Sequence, residues 1–217
     1  MVEIYRKSLF DIHKDIVYLD GNSLGPLLKG VSEESQRVIN NEWGKKLIKG
    51  WNESKWMDQP VRVGNKIAKL LNGEKGSIVL GETLAVKLYQ ALSAAIDLRK
   101  DRSIILTDTG NFPSDLYIAQ GLINSHCRNL KLKIVDPEDI ASAIDNRVAV
   151  VMLTQVDYKN GRMHDLHNIT DLCHKYGAII LWDLAHSAGA VPVDLKKSGC
   201  DFAVGCTYKY LNGGPGS

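Results

Sequence analysis

The chain has 217 residues, 44% hydrophobic and 24% charged, the proportions of a globular protein with room for a substantial core. Its 27 basic and 25 acidic residues leave a net charge of +2, which argues against a nucleic acid or an anionic membrane surface as partner. No apolar run approaches the length that crosses a bilayer, and the charged N-terminus MVEIYRKSLFDIHKD has no signal-peptide core, so a cytoplasmic protein is expected.

In chain order, IVYLD is strand-like and breaks into Asp20-Gly21-Asn22-Ser23-Leu24-Gly25-Pro26, a loop by composition whose small side chains also suit contact with a ligand. A helix is expected from Gly30 to about Leu47, with Ser32 as N-cap and Glu33 and Glu34 at the positive end of its dipole. Trp51 and Trp56 then stand on an irregular polar stretch, either packing against a neighbouring subunit or forming an aromatic wall for a flat substrate. Val63, Ile67, Leu70 and Leu71 mark an amphipathic helix closed by Asn72-Gly73.

From about Pro60 onward the pattern alternates. Short apolar runs at Ser77–Leu80, Ile104–Thr107, Leu132–Val135, Val148–Leu153, Ile179–Trp182 and Phe202–Val204 read as strands. Helical spacings, such as Leu84, Leu88, Leu92 and Ala95, or Ile140 with Ile144, lie between them. This is the pattern of an α/β domain with a mainly parallel sheet covered on both faces. We divide the chain into an N-terminal arm and helix, 1–59, and an α/β domain, 60–217.

Ligands of such sheets bind beyond the carboxyl ends of the strands. The residues there are Glu82 to Ala85, the loop Asp108 to Asp115, Thr154 and Gln155, Asp183 with His186, and Tyr208 with Lys209. Alone, Asp183 reads as a helix cap and Lys209 as a solvated lysine. Together they read as the pair that pyridoxal 5′-phosphate (PLP) requires, a carboxylate against the pyridinium nitrogen and an amine for the aldehyde. A helix start at Thr83–Val86 would offer backbone N–H groups to the phosphate, and Phe112 could lie flat on the ring.

Competing motifs are weaker. His164-Asp165-Leu166-His167, with Cys173-His174, has metal-like spacing but reads as a cap-and-surface cluster, and no metal is expected. Cys127, Cys173, Cys200 and Cys206 form no C-x-x-C pair and read as reduced thiols. No G-x-G-x-x-G follows the first strand, which disfavours a nicotinamide site.

Five segments resemble the kynureninase family, fold-type-I PLP enzymes related to class V aminotransferases: YLDGNSLGPL, Gly50-Trp51, NFPSDLY at 111–117, WDLAHSAGAVPVDL at 182–195 and CDFAVGCTYKYLNGGPG at 200–216. The resemblance implies the large, PLP-binding domain of that fold. It implies that Lys209 bonds the cofactor, that Asp183 pairs with the ring nitrogen, and that His186 and Tyr208 lie beside it. Phe112 would stack on the ring, Asp115 and Thr154 would complete the lining, and Leu84 and Ala85 would present backbone groups to the phosphate. Ala85 departs from the hydroxyl residue often found there. Ser23 and Trp51 match positions near the substrate, the indole facing its aryl ring.

The implied reaction is hydrolysis of L-kynurenine, or its 3-hydroxy derivative, to the anthranilate and L-alanine, in tryptophan catabolism. Another class V activity, such as a cysteine desulfurase, or a non-catalytic fragment or subunit are the alternatives. Family members are about twice this length, so the resemblance implies a large domain truncated before the small C-terminal domain. It also implies a homodimer, or complementation by a C-terminal half. A sheet cut at this point exposes apolar surface that is normally covered.

Overall fold

The computed structural model describes residues 6–125 and 129–217. Cys127 lies outside them. The N-terminal part is helical in short pieces: α1 (Val31–Arg37), a π-helical stretch Val38–Lys45, and α2 (Gly50–Glu53). Glu33 and Glu34 occupy the first turn of α1 as expected, but its N-cap is Gly30 and not Ser32. Gly30 is left-handed, with φ 85°. That conformation costs glycine little, and it starts the helix before Ser32 is reached. α3 (Gln59–Leu70) carries Pro60 in its first turn, and the chain leaves it through Asn72 at φ 48°.

The rest alternates helix and strand: α4 (Leu84–Asp97), β1 (Ile104–Asp108), α5 (Pro113–Ser125), β2 (Lys131–Val135), α6 (Ile140–Ala143), β3 (Val148–Thr154), α7 (Leu166–Tyr176), β4 (Ile179–Asp183), α8 (Leu195–Ser198) and β5 (Phe202–Val204). The five strands form one sheet in the order β2-β1-β3-β4-β5, and every pairing is parallel. All five were expected to within a residue at each end, because a strand buried on both faces reads as a continuous apolar run.

Each face of the sheet carries its own core. On one, Leu106, Val151, Leu153, Ile180 and Trp182 pack with Ile140 and Ile144 and with Leu166, Ile169 and Cys173 of α7. On the other, Ile105, Val150, Met152 and Leu181 meet Leu88, Leu92 and Ile96 of α4 and Ala119 and Leu122 of α5. Trp182 is fully buried and donates its indole N–H to Thr170 Oγ1 at 3.2 Å.

Two expected strands are absent from the sheet. Ser77–Leu80 runs across α3 instead: the Leu80 N–H donates to Pro60 O at 3.1 Å, and the Ile78 carbonyl fits against Gly64, where a Cβ would collide with it. The glycine lets this backbone settle on a helix, and Val79 is left 61% exposed. Near the N-terminus Val17 and Leu19 are 80% and 87% exposed, and residues 16–20 pair with no strand among the described residues.

Candidate active site

Parallel pairing brings the strand ends to one rim. Thr154 and Asp183 are register partners at the ends of β3 and β4, and Asp183 is in turn paired with Val204 of β5. Beyond them lies a cavity of about 370 Å³ lined by Leu84, Ala85, Phe112, Asp183, His186, Tyr208 and Lys209. Residues far apart in the chain, each placed after an apolar run, therefore share one space.

Asp183 is buried. It accepts the Ala185 N–H on Oδ1 at 2.8 Å, and the Thr154 hydroxyl lies 3.2 Å from Oδ2. Burial pushes its carboxyl above the usual range, and the Lys209 charge opposes that shift without cancelling it. A buried carboxylate of this kind is stabilised by a cationic N–H donor.

Lys209 is 6% exposed, and its Nζ stands 2.6 Å from His186 Nε2 and 5.5 Å from the centre of the Phe112 ring. Burial, and then the Lys209 charge, push His186 down to about 4, so its imidazole is neutral near pH 7. With Lys209 donating to Nε2, the ring proton sits on Nδ1, which is buried and has no hydrogen-bond partner among the described residues.

Asp115, in the first turn of α5, has no exposed surface. Its Oδ1 accepts the Ser114 hydroxyl at 3.2 Å, and its Oδ2 is an unpartnered buried atom. Burial, and then Asp183, raise its pKa to about 8.

α4 begins at the same cavity. Its N-cap, Thr83, makes no side-chain cap, and Leu84 and Ala85 of the first turn line the space. The first N–H groups of a helix have no intrahelical acceptor, so this end presents donors and a positive dipole to an anion. Ala85 adds no hydroxyl to them.

Four expected residues do not line the cavity: Asp115 and Thr154 are buried behind it, Thr154 reaching it only through Asp183 Oδ2, and Ser23 and Trp51 lie outside it. Ser23 is exposed on its loop, and Trp51 is 47% exposed on α2 with its ring edge-on to Trp56 at 5.6 Å. The Ser23 loop is nonetheless tied to the site, because the Gly25 N–H donates to Tyr208 O at 2.7 Å.

Two other residues matter to the site: Asn111, in the expected rim loop but given no role there, and Tyr158, which the sequence reading did not place. Asn111 is a buried hub: its amide donates to Thr107 Oγ1 at 2.9 Å and Met152 O at 3.2 Å, and its Oδ1 meets the Thr154 hydroxyl and the Phe112 N–H, each at 2.7 Å. Tyr158 packs against Phe112 and His186. His164, expected on the surface, is buried against Asp108 at 2.6 Å, while Asp165 caps α7 as expected by accepting the N–H groups of His167 and Asn168. Among the described residues no three His, Cys, Asp or Glu side chains are grouped to hold a metal ion.

The family model described as aminotransferase class-V matches residues 17–216. The chain belongs to the class-V aminotransferase family. It is 49% identical over 213 residues to a kynureninase of Pseudomonas fluorescens and 45% identical to one of Burkholderia pseudomallei, in each case over 96% of this chain and 51% of the relative. The chain thus spans about half the length of the curated relatives it matches.

Among solved structures it resembles a NifS-like protein, with TM-score 0.76, 19% identity and coverage of 92% of this chain and 57% of that one. It also resembles an apo cysteine desulfurase from Thermococcus onnurineus NA1, with TM-score 0.75, 21% identity and coverage of 97% and 54%. A C-DES mutant with glycine covalently linked to its PLP cofactor matches with TM-score 0.76, 15% identity and coverage of 97% and 57%. At these identities the likeness is one of fold. For the class-V family this chain supplies the parallel sheet and the rim of strand ends, and no helix among its described residues is long and apolar enough to cross a membrane.

Proposed function

We propose that this chain is the PLP-binding half of a kynureninase, which hydrolyses the Cβ–Cγ bond of L-kynurenine, or its 3-hydroxy derivative, to give the anthranilate and L-alanine. The observation that carries this is the convergence of Asp183, Lys209 and the start of α4 on one cavity, in a chain 49% identical over 96% of its length to a kynureninase.

PLP fits what is present. Asp183 is a buried carboxylate in want of a cation, Asp115 Oδ2 and His186 Nδ1 are unpartnered, and the N–H groups of α4 await an anion. Asp183 would take the ring N–H, Leu84 and Ala85 with Tyr208 would hold the phosphate, and Phe112 and His186 would flank the ring, with Thr154 and Asp115 beside it. When bound, the cofactor supplies an electron sink for the pairs released at the substrate carbons.

The chain's own residues do the rest. Lys209 would hold the cofactor through its amine, and that amine is the base placed to take the proton from the substrate Cα. His186 Nε2, 2.6 Å away, is placed to exchange a proton with that amine. Asp183, kept from water, would hold the ring nitrogen in its protonated form. Water supplies the oxygen of the anthranilate carboxylate and the proton that completes alanine. Ser23 and Trp51 remain candidate substrate contacts from outside the cavity of this chain.

Activity also needs the part of the relatives that this chain does not span, as a continuation or as a complementary chain, and the assembly is a cytoplasmic homodimer. Support for a covering second half comes from β5, which among the described residues pairs with β4 alone, and from a groove of about 590 Å³ between β5 and residues 77–81, walled by Ile78, Leu80, Phe202 and Val204. Such an edge offers unpaired backbone groups to another strand.

Co-expression with the second half of the Pseudomonas fluorescens relative, addition of PLP, and assay of absorbance and anthranilate fluorescence test the reading. The expected result is a cofactor band that Lys209→Ala abolishes, together with anthranilate release. A well-folded assembly without the band overturns the cofactor assignment. Alanine release from cysteine without anthranilate from kynurenine replaces the activity with that of a desulfurase.

A further inference from the structure

The segment after β3 turns back on itself. The Asp157 N–H donates to Arg162 O at 2.8 Å, the His164 N–H to Gln155 O at 2.8 Å, and Val156 bridges Met163 antiparallel. The base of this hairpin is clamped to the end of β1. His164 Nε2 is 2.6 Å from Asp108 Oδ2, and Arg162 Nη2 is 3.4 Å from the same oxygen. Asp108 and His164 are both buried, so the clamp is shielded from competition by water.

The hairpin carries Tyr158. Its ring stands edge-on to Phe112, with centroids 5.0 Å apart and planes at 67°, and nearly parallel to His186, at 6.2 Å and 26°. These are favourable aromatic geometries. Tyr158 does not line the cavity, so it backs the two rings that do.

His186 requires such a backing. Among the described residues its one polar side-chain contact is Nε2 with Lys209, and the buried Nδ1 has no partner. One hydrogen bond leaves an imidazole free to turn about the axis of that bond. The plane of the ring is therefore set by what packs on it.

We propose that Tyr158 is a positioning residue: with Phe112 it fixes the plane of the His186 imidazole against the Lys209 amine, and the Asp108, His164 and Arg162 clamp fixes Tyr158. The residue acts through His186 and exchanges no proton itself. Its importance for turnover rests on the proposed role of Lys209, but the geometry belongs to the cofactor-free protein and is tested there.

The test is an NMR titration of the imidazoles in the cofactor-free chain, with His186→Asn to assign the signal. Lys209 and Asp157 are the charged groups that face His186, and in the wild type it titrates near 4. Tyr158→Leu removes the stacking ring, lets the imidazole turn toward water, and raises the midpoint by about one unit or more toward its ordinary value. Tyr158→Phe keeps the stack and restores the wild-type midpoint, whereas the aliphatic Leu fills much of the same space and does not. An unchanged midpoint in Tyr158→Leu overturns the proposal, as does a Phe variant that behaves like the Leu variant. If Tyr158→Leu does not fold, His164→Gln loosens the clamp and must shift His186 in the same direction, and no shift there overturns the proposal. Failure of the wild type to bind PLP would count against the proposed function and not against this one.

Discussion

Thr154 stands opposite Asp183 in the register of β3 and β4, and its hydroxyl lies between Asp183 Oδ2 at 3.2 Å and Asn111 Oδ1 at 2.7 Å. Asn111 Oδ1 also accepts the Phe112 N–H, so one hydroxyl links the buried acid to the loop that carries the aromatic wall. Thr154→Val keeps the shape and deletes the link. The expected cost is about 1–3 kcal/mol in urea unfolding, with weaker PLP binding by spectroscopic titration. Thr154→Ser should recover most of both, and a valine variant as stable as the wild type would refute the linkage.

The stability of the cofactor-free chain should fall as pH rises. Asp115 has its folded pKa raised to about 8, and Asp183 is shifted in the same direction. An acid shifted upward binds more protons when folded, so its contribution is present below the unfolded value near 4 and is lost as pH climbs to about 8. For a shift of that size the linkage limit is about 5 kcal/mol, reduced in practice by relaxation of the pair. His186, pushed down to about 4, works the other way below its ordinary value, favouring the fold as pH rises through that lower window. Asp115→Asn should flatten the decline between about pH 6 and 8 in thermal or urea melts, and an unaltered slope would contradict the assignment.

Gly64 sets two effects against each other. Alanine in a helix interior gains up to about 1 kcal/mol over glycine. Here its Cβ would strike the Ile78 carbonyl and approach Val79 Cα at 3.1 Å, both backbone atoms. Overpacking costs about 1–3 kcal/mol, so Gly64→Ala should destabilise the chain on balance. A more stable variant would mean that residues 77–81 move aside easily.

The groove beside β5 can be probed without disturbing the core. Val79 is 61% exposed, so Val79→Asp should change the stability of the isolated chain by less than about 0.5 kcal/mol. It should nevertheless weaken co-purification with the second half of the Pseudomonas fluorescens relative, because it puts a charge at a wall that another strand would cover. Equal recovery of wild type and variant would remove this groove from the interface.

Strand β3 was legible because VAVVML is apolar throughout, and all seven residues of the strand are buried. Ser77–Leu80 has a similar composition, yet a four-residue run does not reveal whether a strand or a helix lies beside it, and here the neighbour is α3 at Gly64. Asp183 and Lys209 were legible as an acid and an amine at successive strand ends. The roles of Asn111 and Tyr158 were not: Asn111 stood in the rim loop Asp108 to Asp115 with no role of its own, residues 157–161 carried no reading, and both roles arise only across strands, on Thr154 and on His186. His164 read as surface beside the cap Asp165, and only the fold supplies the Asp108 that makes its burial tolerable.

The hydrogen bond from the Gly25 N–H to Tyr208 O joins the two ends of the sequence at the peptide preceding Lys209. A contact that closes a loop of nearly the whole chain carries a large entropic cost before any reward, so it forms after the sheet and helices are in place. In kinetic terms the anchoring of the lysine's peptide by Gly25 is expected late in folding. Refolding followed at Trp182, which is buried in the core, should therefore run ahead of the recovery of cofactor binding.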